Sequence, residues 1–340
     1  MCRGDQVKLS NVLVYVMRDR GGLIISLDFE LHWGVRDYCG ANHPYIRNIL
    51  GARDVIPRML IVFDKYGIAA TWAAVGFLFA SNYDELLHYY PELMPDYKDT
   101  KFNPYLENIG KNEIMDPLHY AGTIINKIKD LSSQEIASHT FSHYYCMEDG
   151  SNGKSFLNDL QSAQIIAEAK IGESLKSLVL PRNQCRAEYI ELIAQAGFMC
   201  YRGNQEHGMY QSASTRMAKN KLMRARRWID SYIGLDMSSS LIKRENQVYN
   251  IPASRFLRPP DGKYLEYLKE RRIMNEMTRA AQMNRYYHLW WHPHNFGLYQ
   301  ERALSMLINI LDHYVKLRDV YGFRSLTMRD AARDAAIRGD

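Results

Sequence analysis

Hydrophobic residues follow two different periods along the chain. Short continuous apolar runs such as "GLIIS" (22–26) and "TWAAV" (71–75) are typical of buried strands. Between these two runs, apolar residues recur at helical spacing and a glycine, Gly67, stands where a helix would stop. The recurring positions are Val55, Met59, Leu60 and Phe63. The pattern therefore predicts a strand, a helix and a second strand in succession.

The same alternation continues to the end of the chain. Further strand-like runs are "EIASH" (135–139), "SLVLP" (177–181), "FMCYRG" (198–203) and "YYHLWWHP" (286–293), with helix-period segments between and after them. Alternating strands and helices of this kind predict a parallel sheet with helices outside, and seven or eight such units indicate a (β/α) barrel. Functional residues of such a barrel lie at the carboxyl ends of its strands.

Two segments do not fit the repeat. One lies near 81–118 and is rich in Pro, Asn, Asp and Tyr, and the other lies near 204–235 and lacks long apolar runs. Both are interpreted as insertions over one face of the sheet. Because no low-complexity linker separates folded halves, residues 1–340 are predicted to form a single domain.

The first strand ends in two acids, Asp28 and Glu30. Burying an unpartnered carboxylate costs several kcal/mol, so two of them at the mouth of a core strand indicate that something binds them. Side chains two residues apart on an extended strand point to the same side. Either acid could therefore hold a metal ion while the other accepts a proton.

A histidine pair supplies the remaining ligands for such a metal. His139 and His143 follow the strand-like run "EIAS", and their spacing would place both imidazoles on one face if the chain turned helical there. Hydrolytic zinc sites commonly use three protein ligands, and two histidines with one carboxylate meet that requirement. The residues therefore predict one divalent metal ion, with zinc the favoured choice.

Two more strand ends carry polar side chains. His292 and His294 follow the last aromatic strand, where a histidine can serve as a general acid or can cap the aromatic cluster. Arg182 follows "SLVLP", where a guanidinium can orient a carboxylate or form a surface ion pair. The residues alone decide neither the role of the two histidines nor that of Arg182.

Composition restricts the surroundings in which the protein works. The net charge of +5 is small for this length. Basic residues are densest at 219–227, which is either a solvated helix face or a site for an anionic substrate. No nucleic-acid motif accompanies it, so no nucleic-acid partner is predicted. The five cysteines form no CxxC pair, and no signal-like or membrane-length apolar segment occurs. These features predict a cytoplasmic protein.

In chain order, these motifs resemble those of the polysaccharide deacetylase family, carbohydrate esterases that remove N-acetyl or O-acetyl groups from sugars. The resemblance rests on "SLDFE", "TWAAVG", "EIASHTFSH", "LPRN", "WWHPHNFG" and "SLTM", which span about Leu23 to Met328. The Ser-His-Thr-x-x-His segment is the most specific of these motifs. The resemblance implies a distorted barrel of about seven parallel strands with its active site at the carboxyl-end mouth.

The resemblance also implies roles for individual residues. Asp28 would be the base, and Glu30, His139 and His143 would hold the metal. Arg182 would contact Asp28, and His292, or His294 if the register slips, would be the acid. The usual adjacent Asp-Asp is replaced here by Asp-Phe-Glu, a form that looks like the branch with spaced acids.

Substrate contacts are assigned to four positions. Trp33 and His294 are expected to touch the substrate. Arg255 and Arg258, in "IPASRFLRP", look like a feature of a branch associated with surface-polysaccharide assembly. They are expected either to bind substrate anions or to anchor their loop.

The expected function is hydrolysis of an N-acetyl or N-formyl group on an amino sugar of a surface polysaccharide or its precursor. A cytoplasmic enzyme would meet a nucleotide-linked or lipid-linked sugar, and such a substrate carries phosphate. Two alternatives remain, namely a metal-free amidohydrolase of a small cyclic amide and a catalytically silent carbohydrate-binding protein.

Overall fold

The computed structural model describes residues 21–40, 42–204, 241–260, 262 and 266–339. The strands in these ranges are Gly22–Phe29 (β1), Ala70–Ala74 (β2), Gln134–Ser138 (β3), Ser177–Leu178 (β4), Cys200–Tyr201 (β5), Lys243–Glu245 (β6), Val248–Asn250 (β7), Arg255–Phe256 (β8), Tyr286–Trp291 (β9) and Arg324–Leu326 (β10). The α-helices are Ile46–Tyr66 (α1), Tyr83–His88 (α2), Gly122–Lys129 (α3), Gly153–Ile171 (α4), Ile190–Gln195 (α5), Glu266–Gln282 (α6), Gln300–Tyr321 (α7) and Met328–Arg338 (α8).

These strands form one curled, mostly parallel sheet. Its order is β6-β7-β5-β4-β3-β2-β1-β9-β8, with β10 paired to the start of β1. Every pairing is parallel except that of β6 with β7. Among the described residues the path ends at β6 and β8, so the sheet is a half-barrel with helices around it. The predicted α/β class and parallel sheet are confirmed, while the described strands outnumber the expected seven.

The central strand β1 explains why the sheet holds together. All eight of its residues are buried, and it pairs with β2, β9 and β10. A strand covered on both faces reads as a continuous apolar run, as "GLIIS" does. The carboxyl ends of β1, β2, β3 and β9 therefore meet at one edge.

The helix α1 has the predicted buried face. Val55, Met59, Leu60 and Phe63 are all buried, and the helix ends at Gly67, whose left-handed backbone (φ 65°) suits glycine. Tertiary burial of this stripe, rather than intrinsic propensity, provides most of such a helix's stability.

Some elements were not predicted. The insertion at 81–118 contains α2 and two 3₁₀ turns, Thr100–Phe102 and Pro104–Leu106. Helices α3 and α8 were also missed, although Thr327 and Asp330 form a capping box at the start of α8. The second expected insertion, 204–235, lies outside the described residues except for Asn204.

Two features noted in the sequence, its apolar segments and its cysteines, can be compared with the structure. In the part of the chain that the structure describes, no helix is both long and apolar enough to cross a bilayer. The four described cysteines are free thiols, and three of them, Cys39, Cys146 and Cys200, are buried.

Candidate active site

The carboxyl end of β1 delivers two acids into one buried place. Asp28 is the seventh residue of the strand, and Glu30 is the first residue after the strand ends. Each is less than 5% exposed. The chain then enters a 3₁₀ turn, Leu31–Gly34, with a left-handed backbone at Leu31 (φ 45°). Gly34 is required there because a Cβ at this position would lie 1.9 Å from Cδ of Glu30. The turn is thus packed directly against the Glu30 carboxylate.

The two histidines follow β3 in an irregular loop, so the helical turn that was the condition for their shared face does not form. Thr140 (φ 63°) and His143 (φ 57°) both have left-handed backbones, which turn the loop back on itself. The buried Asp159 of α4 accepts the backbone N–H groups of Phe141 (2.7 Å) and Ser142 (3.1 Å). The loop has no regular secondary structure to pair these N–H groups, so the Asp159 carboxylate stabilises its conformation by accepting them.

Glu30, His139 and His143 come together as a three-residue group. Oε2 of Glu30 lies 3.3 Å from Nε2 of His139 and 3.1 Å from Nε2 of His143. Nδ1 of His139 lies 2.9 Å from the carbonyl oxygen of Val179, to which it donates, so in the neutral imidazole Nε2 carries the lone pair. Nε2 of His139 is buried and has no hydrogen-bond partner among the described residues. A lone pair facing a carboxylate in a buried site fits a divalent cation.

The electrostatics of this group agree with the same interpretation. Burial alone would raise the pKa of Glu30, but His292, His139 and His143 hold it well below its usual value. Burial lowers the pKa of His143 to about 4, although Glu30 opposes the shift. An ionised carboxylate and neutral imidazoles are the forms in which these side chains bind metals.

Asp28 is held by Arg202, which the sequence analysis did not single out. Nη1 and Nη2 of Arg202 donate to Oδ1 (2.6 Å) and Oδ2 (2.8 Å) of Asp28. Burial raises the pKa of Asp28, but Arg202, with smaller contributions from His139 and His292, brings it below its usual value. Asp28 is therefore ionised at neutral pH.

The surroundings of Arg202 fix its guanidinium. Its Nη1 also donates to Oγ of Ser26 (3.1 Å), its Nη2 donates to Oδ1 of Asn183 (2.9 Å), and its Cζ lies 4.1 Å from the ring centroid of Trp290. Arg202 directly follows β5, just as Glu30 directly follows β1. A cation just past a strand end was the only sequence signal that could have identified it.

The expected role of Arg182 as the partner of Asp28 was wrong, because Arg202 occupies that place. Both Arg182 (φ 56°) and Asn183 (φ 52°) have left-handed backbones. This turn directs Arg182 to Asp37, whose Oδ1 lies 2.6 Å from its Nη2, and over the ring of Tyr145 (4.4 Å). The "LPRN" segment therefore reaches Asp28 through Asn183 and Arg202.

His292 and His294 lie on the other side of the two acids. Nε2 of His292 is 3.7 Å from Oδ2 of Asp28 and 3.6 Å from Oε1 of Glu30, and the side chain is 24% exposed. Nε2 of His294 is 4.0 Å from Oε1 of Glu30 and is buried. The two rings stack at 5.0 Å. His292 is thus the more accessible of the two histidines and the only one within 4.0 Å of both acids.

Two of the expected substrate-binding residues are buried and held by contacts within the protein. Trp33 is 1% exposed; it packs between Phe77 and His119, and its Nε1 donates to the carbonyl oxygen of His119 (3.0 Å). Trp33 is buried because the 3₁₀ turn after Glu30 directs its side chain into the core. Arg255 is buried and forms a two-point ion pair with Glu276 (3.1 and 2.7 Å).

The Arg255 pair favours the loop-anchoring interpretation over binding of substrate anions. Arg258 lies two residues after β8 and is half-buried, so its role stays a prediction. The basic segment 219–227 lies outside the described residues.

A polar cleft lies beside Arg202 at the carboxyl ends of β4, β5 and β7. Its volume is about 360 Å³. Polar residues that line it include Asn183, Arg202, Asn204, Lys243, Glu245 and Asn250. Arg202 lines the cleft and also binds Asp28, so a ligand in the cleft would lie next to the candidate active site.

Comparison with known proteins supports the fold. No protein-family model matches the chain, and no curated protein matches it in sequence. Among solved structures, a protein described as a polysaccharide deacetylase from Mycobacterium smegmatis is 11% identical, with a TM-score of 0.58 over 94% of this chain and 92% of that one. The PuuE allantoinase is 10% identical, with a TM-score of 0.51 over 93% and 90%.

A third structure extends the comparison to another enzyme type. A GH57-type branching enzyme from Pyrococcus horikoshii is 12% identical, with a TM-score of 0.50 over 91% of this chain and 69% of that one. At these identities the likenesses show the fold alone. The chain therefore shares its half-barrel fold with a polysaccharide deacetylase and with enzymes of other activities.

Proposed function

We propose that this protein is a metal-dependent hydrolase that removes an N-acetyl or N-formyl group from an amino sugar. One observation carries the proposal: a buried Glu30–His139–His143 group lies beside an ionised acid, Asp28, with His292 within 4 Å of both acids. The fold shared with a polysaccharide deacetylase supports the same reaction class.

Glu30, His139 and His143 are the residues that would hold the metal. A divalent ion bound there supplies Lewis-acid chemistry, which polarises the acyl carbonyl and makes water easier to deprotonate. The other steps belong to the side chains around it.

Asp28 is suited to act as the base. Arg202 engages both carboxylate oxygens, yet each oxygen keeps a second lone pair that can accept a proton. As the water oxygen bonds to the acyl carbon, its proton passes to Asp28. Arg202 keeps Asp28 ionised and fixes its orientation, so it acts as a positioning residue.

His292 is suited to act as the acid. The C–N bond breaks as the sugar nitrogen takes a proton from Nε2 of His292, and the free amine is released with acetate or, from an N-formyl group, formate. His292 is more exposed than His294 and lies closer to both acids, so the geometry favours it for this role.

The substrate that we propose is a nucleotide-linked or lipid-linked amino sugar met in the cytoplasm. The cleft beside Arg202 offers amide and charged side chains that can hydrogen-bond a sugar, and Lys243 gives it a cation for a phosphate. The basic segment 219–227 is a further candidate for phosphate binding.

Metal content tests the proposal without a choice of substrate. We expect His139→Gln to lose one equivalent of bound zinc relative to the wild type, and Asp28→Asn to keep it. His88→Ala, at an exposed histidine, is the matched control. Equal zinc in the wild type and His139→Gln would contradict the metal centre.

A metal-free amidohydrolase of a small cyclic amide is the second candidate, because the fold is also that of an allantoinase. It predicts turnover that is insensitive to chelator. A catalytically silent carbohydrate-binding protein would instead bind sugar equally well after Asp28→Asn and release no acetate.

A further inference from the structure

A second group of two histidines and a carboxylate lies behind the turn that follows Glu30. It consists of His32 from the 3₁₀ turn Leu31–Gly34, and of Glu107 and His119 from the insertion and the residue just after it. One ligand atom of each residue lies within 4.8 Å of the other two. Both histidines are about 95% buried, and Glu107 is half-buried.

The hydrogen bonds of the two histidines fix which nitrogens carry hydrogen. Nε2 of His32 lies 2.6 Å from the carbonyl oxygen of Cys39, which can only accept. Nδ1 of His119 lies 2.7 Å from Oδ2 of Asp116, which also receives the backbone N–H of Gly110 (2.7 Å). Each ring therefore uses an N–H on its outer side.

The inner nitrogens then face each other with lone pairs. Nδ1 of His32 and Nε2 of His119 are 2.9 Å apart. Two lone pairs at this separation repel, so a cation must lie between the rings: either a proton, which makes one ring an imidazolium, or a metal ion. Glu107 adds the third ligand atom that a metal ion needs and a shared proton does not, so a metal ion gives all three residues a role.

The distances suit a first-row divalent ion after a small adjustment. With zinc–nitrogen bonds of about 2.0–2.1 Å, nitrogens 2.9 Å apart subtend roughly 90° at the ion, and the tetrahedral angle separates them by about 3.3 Å. A movement of a few tenths of an ångström brings the two nitrogens to that separation, and the carboxylate of Glu107, an oxygen of which lies within 4.8 Å of both, reaches the ion by a larger side-chain rotation. Asp116 behind His119 matches the carboxylate–histidine arrangement that commonly supports zinc ligands.

We propose that His32, Glu107 and His119 form a second binding site for a divalent cation of the zinc class. The site joins the insertion to the turn that packs on the Glu30 carboxylate, so its role is to hold that turn in place. The backbone N–H of His32 also donates to the carbonyl oxygen of Leu118 (3.2 Å), which shows that the two segments already meet there. The proposal does not depend on the proposed reaction.

Zinc stoichiometry of the full chain tests this site. The protein is stripped with chelator, reloaded with zinc and dialysed, and bound zinc is measured by mass spectrometry. We expect two zinc ions in the wild type and His88→Ala, one in His139→Gln, one in His119→Gln, and none in the double variant. Glu107→Gln, a conservative change at a half-buried residue, should weaken zinc binding at the second site at least tenfold.

The His139→Gln variant isolates the second site. Adding zinc to this variant should raise its melting temperature by roughly 3–6 °C at saturating concentration, and His119→Gln in the same background should abolish the rise. No bound zinc and no shift in His139→Gln would overturn the proposal and leave a histidine pair that shares a proton. If the catalytic metal centre alone were wrong, the wild type would hold one zinc that His119→Gln removes and His139→Gln keeps.

Discussion

Two groups of the same composition lie on either side of one short turn. Glu30 with His139 and His143, and Glu107 with His32 and His119, each offer one carboxylate and two buried imidazoles. Their surroundings differ. Beside the first group lie Asp28, which Arg202 keeps ionised, and the partly exposed His292, which is within 4 Å of Asp28 and Glu30. The second group has Asp116, whose oxygens already receive His119, Gly110 and Leu118.

The difference teaches that a ligand set defines binding, whereas the neighbouring groups define chemistry. A reaction needs a base with spare lone pairs and an acid that solvent and substrate can reach. Only the first group has both among the described residues. In the proposed function the first group therefore carries the hydrolytic reaction, and in the further proposal the second group has a structural role.

The largest expected effect is on kcat, and it distinguishes Asp28, beside the first group, from Asp116, beside the second. Asp28→Asn should lower kcat by about 10²- to 10⁴-fold while bound metal is kept, because the general base is lost. Asp116→Asn, the corresponding change beside the second group, should leave kcat within a few-fold. Steady-state rates and metal content of both variants check this, and a similar loss of kcat in both would remove the distinction.

Breaking the Asp28–Arg202 pair should have the next largest effect. Arg202→Gln leaves a buried carboxylate without its cation, which typically costs about 3–5 kcal/mol of unfolding free energy. Arg182→Gln, at a side chain that is 22% exposed, should cost clearly less. Denaturant unfolding measures both. Asp28→Asn added to Arg202→Gln should recover part of the loss, and no recovery would mean that Arg202 stabilises the fold in another way.

The loop of the first group should give the stability a pH dependence. Burial raises the pKa of Asp159 to about 7, although Ser142 and two backbone N–H groups oppose the shift. In the unfolded chain an aspartate has a pKa of about 3.9, so the folded state binds more protons between these values. The Asp159 contribution should therefore be complete below about pH 4 and be lost as pH rises to about 7, with a slope of up to about 1.4 kcal/mol per pH unit.

Asp159→Asn is the matched variant for this pH dependence. It cannot ionise, so the decline in unfolding free energy between pH 4 and 7 should become smaller in this variant. The neighbouring tyrosines Tyr97, Tyr105 and Tyr144 have raised pKa values and stay protonated across that range. Identical pH profiles for the two proteins would show that Asp159 does not titrate there.

The smallest expected effect concerns Trp33. Trp33→Phe removes the N–H that the carbonyl oxygen of His119 accepts, which should lower the unfolding free energy by about 1–2 kcal/mol. KM should not change, because Trp33 is buried away from any substrate. A severalfold rise in KM without loss of stability would restore the substrate-binding role that its position in the sequence had suggested.

Much of the fold could be predicted because buried parallel strands are continuous apolar runs and α1 shows its periodicity. The partners at the first group could be predicted because each lies at a strand end, and parallel strands end at one edge. The left-handed backbones at Thr140 and His143 could not, since they depend on hydrogen bonds to Asp159 in a later helix.

Arg202 and the second group were missed for a different physical reason. One arginine at a strand end looks like any other until tertiary contacts show which carboxylate it faces, so Arg182 and Arg202 could not be ranked. His32 and His119 are 87 residues apart, and only the folded insertion brings them together. Contacts of this kind leave no local pattern in the sequence.

Acetate release by metal-free protein, measured as zinc is added back, tests the central claim most directly. The substrates would be a panel of nucleotide-linked and lipid-linked N-acetylated amino sugars. The account predicts no release at the start, release that rises as zinc binds, and zinc uptake without release in Asp28→Asn. Full release before any zinc is added would contradict the assignment of the reaction to the Glu30–His139–His143 group.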